Sequence, residues 1–255
     1  MRSTTATLRA AFRDAIAQRG AFWSQVGAMV VNDIVWVAFW LIFFHRVGRL
    51  RGWDSHRILL LFAILTTSAG LGLGLLSNCR RIGQMAAEGD LDAMLALPVP
   101  TLGHLLVRRV DTVNLGDFAF GVVLFAIVGA RRPSEVGIYV FGVGASVLIF
   151  TGFLVLTGSI AFYAGRSQVG DLGLHAILLL SSYPANVFTG AAKALLYTAV
   201  PAAFVAAVPS HLLVSFSLGE AAVLAGAAAV FPLAGWAAFS AGLRRYTSGS
   251  LWTRA

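Results

Sequence analysis

The sequence predicts an all-α membrane protein: six transmembrane helices, an N-terminal interfacial helix, a short cytoplasmic helix and an outer re-entrant hairpin before the last span. Three observations predict it. First, 58% of the 255 residues are hydrophobic and only 12% are charged, too little polar surface to cover a water-exposed body. Second, five apolar stretches approach the roughly 20-residue length that a bilayer crossing requires. They are Phe22–Phe44, Ile58–Leu76, Val113–Gly129, Gly137–Ala164 and Ala221–Leu243. Third, the basic residues divide unevenly between the loops, which sets an orientation. Residues 1–255 read as a single domain.

The first twenty residues are interrupted by Arg9, Arg13 and Arg19, so they lack the continuous apolar core of a signal peptide. Leu8, Phe12, Ala15 and Ile16 fall at i, i+4, i+7 and i+8, one face of a helix. Such a helix lies in the membrane interface with its arginines snorkelling to lipid phosphates; the alternative is a simple extension of the first span. That span carries Trp36, Phe39, Trp40, Phe43 and Phe44 in its outer half, the pattern of an interfacial aromatic belt. A substrate-facing or subunit-facing surface would look the same.

Gly70 and Gly74 form a G-x-x-x-G pair on the second span, and Gly142 and Gly144 mark the fourth. Small residues at such spacing let helices approach closely. The stretch Leu172–Leu218 would make one helix about 70 Å long, more than twice the hydrocarbon thickness. It must break, and Pro184, Pro201 and Pro209 mark the breaks, because proline lacks an amide donor and clashes with the preceding turn. One crossing followed by an outer hairpin over 184–218 leaves both termini cytoplasmic. Twelve basic residues then lie inside and seven outside, as the positive-inside rule demands. A second crossing would move Arg244, Arg245 and Arg254 outward and erase the bias.

The cytoplasmic stretch Asn78–Asp111 is bracketed by Arg80/Arg81 and Arg108/Arg109. Between them Leu91, Met94 and Leu95 form a short apolar stripe at helical spacing, with Glu88, Asp90 and Asp92 near its N-terminal end. Acid there suits the helix dipole, and Pro98 stops the helix. Such a helix either lies on lipid headgroups or fits a groove on a cytoplasmic partner. Three acids beside anionic lipid are repelled, which favours the partner.

Around these residues the sequence resembles the type-2 ABC exporter permeases, the transmembrane subunits of ATP-driven exporters. Gly89-Asp90-Leu91-Asp92 followed by Leu95 and Pro98 looks like the family's G-x-L-D-x-x-L-x-x-P element between the second and third spans. Gly116-Asp117, Tyr183-Pro184 and the closing Gly242-Leu243-Arg244-Arg245-Tyr246-Thr247-Ser248 fit as well. The resemblance implies a coupling helix at Gly89, Leu91, Asp92, Met94, Leu95 and Pro98 that docks on an ATP-binding cassette ATPase subunit. It also implies a second permease chain, identical or paralogous, in a cell-membrane complex.

The only lysine, Lys193, sits in GAAKALL, which is no P-loop. The chain is therefore expected to carry no cofactor and no catalytic site, with ATP and Mg held by the partner ATPase. No metal-ligand spacing or nucleophile motif appears; His45 and His56 share an arginine-rich loop and read as solvated. Nucleic-acid binding is not expected, since no aromatic-basic stripe accompanies the charge. Membrane lipid is an expected partner. Polar groups inside spans are costly in lipid, which singles out Asn32, Asp33, Asp117 and Tyr183 as candidates for the translocation path. Each has a packing alternative; for Asp117 it is an ion pair with Arg108 or Arg109. The other reading of the whole chain is a membrane channel or assembly subunit not driven by an ATPase.

Overall fold

The computed structural model describes residues 19–129, 131–164 and 168–246. The expected interfacial helix, with Leu8, Phe12, Ala15 and Ile16, lies outside the described residues, as do Thr247 and Ser248 of the closing motif. Twelve α-helices follow in chain order among the described residues. The first five are α1 (Arg19–Val47), α2 (Ser55–Leu75), α3 (Ile82–Glu88), α4 (Asp92–Leu95) and α5 (Thr101–Val107). Then come α6 (Leu115–Val128), α7 (Pro133–Gly158), α8 (Ala161–Ala164) and α9 (Val169–Ser181). The last are α10 (Gly190–Leu195), α11 (Val208–Val214) and α12 (Leu218–Leu243).

Among the described residues, four helical stretches are long and apolar enough to cross a membrane: Phe22–Val47, Ser55–Leu75, Pro133–Ala164 and Leu218–Leu243. Two of the expected spans are shorter. α6 has 14 residues and α9 has 13, about 20 Å each at the helical rise of 1.5 Å per residue. The reason is local. Asp111 and Asn114 turn the chain before α6, and after Ser181 the chain leaves the helix at Tyr183-Pro184, where the residue before a proline is pushed out of helical geometry.

The bundle is built around α2. Its apolar window is 83% buried against 11% for α1 and 17% for α12, so α2 is the central rod and those two lie at the periphery. α2 packs on α6 and α7, α7 on α12, and α1 on α6. Glycines make these contacts close. A Cβ added at Gly70 would fall 2.3 Å from the Phe118 backbone nitrogen, and one at Gly152 would fall 2.5 Å from that of Pro232. The Gly70/Gly74 face therefore meets α6 within the subunit. Gly142 lies against Pro209, whereas Gly144 faces open space. The aromatic group on α1 also divides: Trp40 and Phe44 are buried, while Phe39 is 51% exposed.

The 184–218 segment folds back into the bundle. A 3-10 turn at Ala185–Val187 leads to α10, and a π-helical turn at Ala203–Ala207 runs into α11. Residues 202–207 are buried, where unpaired backbone groups would be costly. Protein atoms satisfy several of them: Ser181 Oγ donates to the Ala202 carbonyl at 3.1 Å, and the Ala203 amide donates to the Leu196 carbonyl at 3.1 Å.

Candidate functional site

The 78–111 segment is held shut at its base. Ser77 Oγ donates to the Arg109 carbonyl at 2.7 Å, and the Asn78 amide donates to the Leu105 carbonyl at 2.8 Å. Arg80 pairs with Asp111, whose amide donates to the Gly74 carbonyl at 2.9 Å. These bonds tie the end of α2 to the approach to α6, so the segment projects as one closed unit.

Inside that unit, Cys79, Ile82, Met85, Leu91, Met94 and Leu105 are all buried. Gly89 makes the packing possible. It takes φ 82° at the end of α3, with its amide donating to the Met85 carbonyl, a left-handed closure that glycine adopts without a Cβ clash. The chain then reverses, and Leu91 drops inward before the single turn of α4. Burial of Cys79 pushes its thiol up to about 12, against a smaller opposing effect of the adjacent Arg80 charge.

This corrects the expected apolar stripe. Leu91 and Met94 are 0% and 3% exposed and anchor the segment to its own core. Leu95 is 44% exposed and so is Leu97, beside exposed Glu88, Asp90, Asp92 and Pro98. The outward face is therefore Leu95, Leu97 and Pro98 with acids around them. Leu97 escaped the helical-spacing argument because α4 lasts one turn and the chain after it is irregular. A two-residue spacing beyond a predicted helix end was the available signal.

The intramembrane polar residues are brought together in part. α1 crosses α6 at Gly116, where an added Cβ would lie 2.7 Å from the Val26 carbonyl oxygen. At this contact Asp33 and Asp117 are each 6% exposed, and Asp117 is within electrostatic reach of Asp33 and Asp111. Asp33 Oδ2 and Asp117 Oδ1 have no hydrogen-bond partner among the described residues. The alternative of an ion pair from Asp117 to Arg108 or Arg109 is not formed: both arginines are exposed, and Asp111 is held by Arg80. Asn32 faces outward, since neighbours on a helix point about 100° apart. Tyr183 stands elsewhere, half-buried with its ring edge-on to Trp40 at 5.7 Å.

Chemically, the arrangement offers two things. One is a segment stapled at its base, with an acidic and apolar outer face. The other is a pair of carboxyl groups at a helix crossing with no basic group to neutralise them among the described residues. Among those residues no group of three or more metal-ligating side chains occurs. A family model described as ABC-2 family transporter protein matches residues 30–250. No curated protein and no solved structure matches significantly.

Proposed function

The chain belongs to the ABC-2 transporter family, a membrane permease component of an ABC transporter, and from that premise we propose that it is the export subunit of an ATP-driven complex. Separate ATP-binding cassette subunits supply the energy, holding ATP and Mg, and this chain supplies the path. The family match over most of the chain carries the reading. The 78–111 segment supports the coupling role: a stapled unit transmits a push as a lever does, whereas a flexible loop would absorb it.

In this reading α1, α2, α6, α7, α9 and α12 are the six spans, and the 184–218 segment is the outer re-entrant hairpin. Both termini and the 78–111 segment face the cytoplasm of a cell membrane, which the arginine distribution supports. Residues 1–255 act as one permease domain. The outward face of the coupling segment, Leu95 with Leu97, Asp92 and Pro98, meets the ATPase, while Gly89, Leu91 and Met94 hold it in shape. A second permease chain, identical or paralogous, completes the path, and the peripheral apolar faces of α1 and α12 are the surfaces open to it or to lipid. Asp33 and Asp117 belong to the path, where carboxyl groups without partners remain available to a passing cation or proton.

The test is a pull-down of the full-length chain from membranes with its native partners. An ATPase should co-purify, and Leu95→Asp should keep membrane abundance while losing ATPase association and transport, because it forces a charge into an apolar contact. Wild-type association and transport in Leu95→Asp would remove the coupling role from this segment. A functional particle without any nucleotide-binding subunit would overturn the export reading itself.

A further inference from the structure

At the end of α2 opposite the coupling segment lies an open cavity of about 460 Å³, within the range of roughly 300–1,000 Å³ that small-molecule sites occupy. Its rim is a tight turn. Leu50 and Trp53 exchange backbone hydrogen bonds across Arg51 and Gly52, which both take positive φ, 48° and 87°. A non-glycine residue held left-handed costs energy, and here the conformation accompanies a specific contact. Arg51 Nη1 donates to the carbonyls of Asn186 and Val187, both at 3.1 Å, clamping the turn onto the hairpin.

The cavity walls are of two kinds. Tyr197, Phe204 and Val208 form an apolar floor, and Val214 and Val223 form a lip between α11 and α12. That lip is 39% exposed at Val214 and 58% at Val223, so apolar surface runs from the cavity onto the outside of α11 and α12. Besides the Tyr197 phenol, four charged or ionisable side chains line it: Arg51, Arg57, His211 and Glu220. Glu220 is engaged, with Oε2 2.8 Å from His211 Nδ1. Neither arginine has a carboxylate partner among the described residues. The site therefore presents two guanidinium groups without a carboxylate partner among the described residues, against one lining carboxylate held by His211, beside an apolar wall that ends in exposed valines.

We propose that this cavity binds a single-chain amphiphile with an anionic headgroup, its phosphate or carboxylate on Arg57 and its alkyl chain on Phe204 and Val208, leaving between Val214 and Val223. Guanidinium forks match such oxygens, and the lip lets a tail enter from the membrane without crossing water. The site lies at the far end of the bundle from the coupling segment, and its occupancy requires neither ATP nor the export role.

The experiment uses the full-length chain, with whatever subunits it carries, in neutral maltoside micelles and a photoreactive dodecyl phosphate. Labelling should map to residues 204–223 and be competed by dodecyl phosphate. Arg57→Gln should lower the apparent affinity roughly tenfold, as loss of one charge-assisted contact implies. Arg57→Lys should retain most of it, and Val223→Trp should block labelling by filling the lip. Arg131→Gln, a surface arginine outside the cavity, should change nothing. Unchanged labelling in both Arg57→Gln and Val223→Trp would overturn the site. Equal competition by dodecyltrimethylammonium would overturn the anionic headgroup, and equal competition by inorganic phosphate would overturn the amphiphile.

Discussion

Leu95 keeps 44% of its surface exposed while Leu91 keeps none, so substitutions four residues apart should part company. Leu91→Ala removes a packed anchor and should cost about 2–5 kcal/mol, seen as lowered abundance and melting temperature with any surviving protein still binding the ATPase. Leu95→Asp should do the reverse. Cys79 gives a second residue-scale expectation. Its thiol is fully buried and raised from 9.0 to about 12, so at pH 8 it is both protonated and shielded. N-ethylmaleimide should label it slowly in the native protein and rapidly after denaturation in SDS; fast native labelling would contradict its burial. The same shift means that the stability tied to this thiol is present below pH 9.0 and is lost as pH rises toward 12. Asp33 is a third case. A buried carboxyl without a partner contributes little to packing, so Asp33→Leu should leave melting unchanged or raised while transport falls. A lower melting temperature with normal transport would make Asp33 structural.

Between elements, the glycines carry the clearest contrast. The α2–α6 crossing has no room at Gly70, where a Cβ would sit 2.3 Å from backbone. Gly70→Ala should therefore force the helices apart and cost about 1–3 kcal/mol, the usual range for overpacking. Gly144 also lies inside a helix, yet nothing stands within 4 Å of its would-be Cβ. Gly144→Ala should be neutral or stabilising by about 0.5–1 kcal/mol, because alanine restricts the unfolded chain and favours helix. Thermal melting of the two variants in the same detergent checks both signs. Both glycines belong to sequence patterns suggesting close approach, and the patterns alone do not distinguish them. Which face of a helix meets a neighbour depends on rotation about its axis, which a spacing of small residues leaves open.

Across the whole molecule, the proposed orientation makes its own prediction. Cysteines placed one at a time should label from outside intact cells at Arg51 and Lys193 and only after permeabilisation beyond Arg245. Native Cys79 can stay in place for this assay, since its burial keeps the background low. Outside labelling beyond Arg245 would overturn the six-span arrangement and turn the 184–218 hairpin into a second crossing. In the fold, the π turn at Ala203–Ala207 and α11 pack on α7 and α2, so either outcome is read against one fixed packing arrangement.

Composition and periodicity by themselves determined the class of this protein. A chain this poor in charge must fold in lipid, and the long apolar runs at 22–47, 55–75, 133–164 and 218–243 are helices because lipid leaves backbone groups no other partner. The break at Pro184 and the projecting segment between α2 and α6 were equally legible, since proline geometry and charge placement act locally. Only the tertiary structure decided that Leu91 and Met94 turn inward while Leu95 and Leu97 face out, because one left-handed glycine at 89 resets the helical phase. It also decided that Asp33 and Asp117 are buried within electrostatic reach of each other on the packed helices α1 and α6, and that Arg51 and Arg57 share a cavity with Phe204. Those neighbours are far apart in sequence, and their meeting depends on how the helices rotate and pack against α2 and α7.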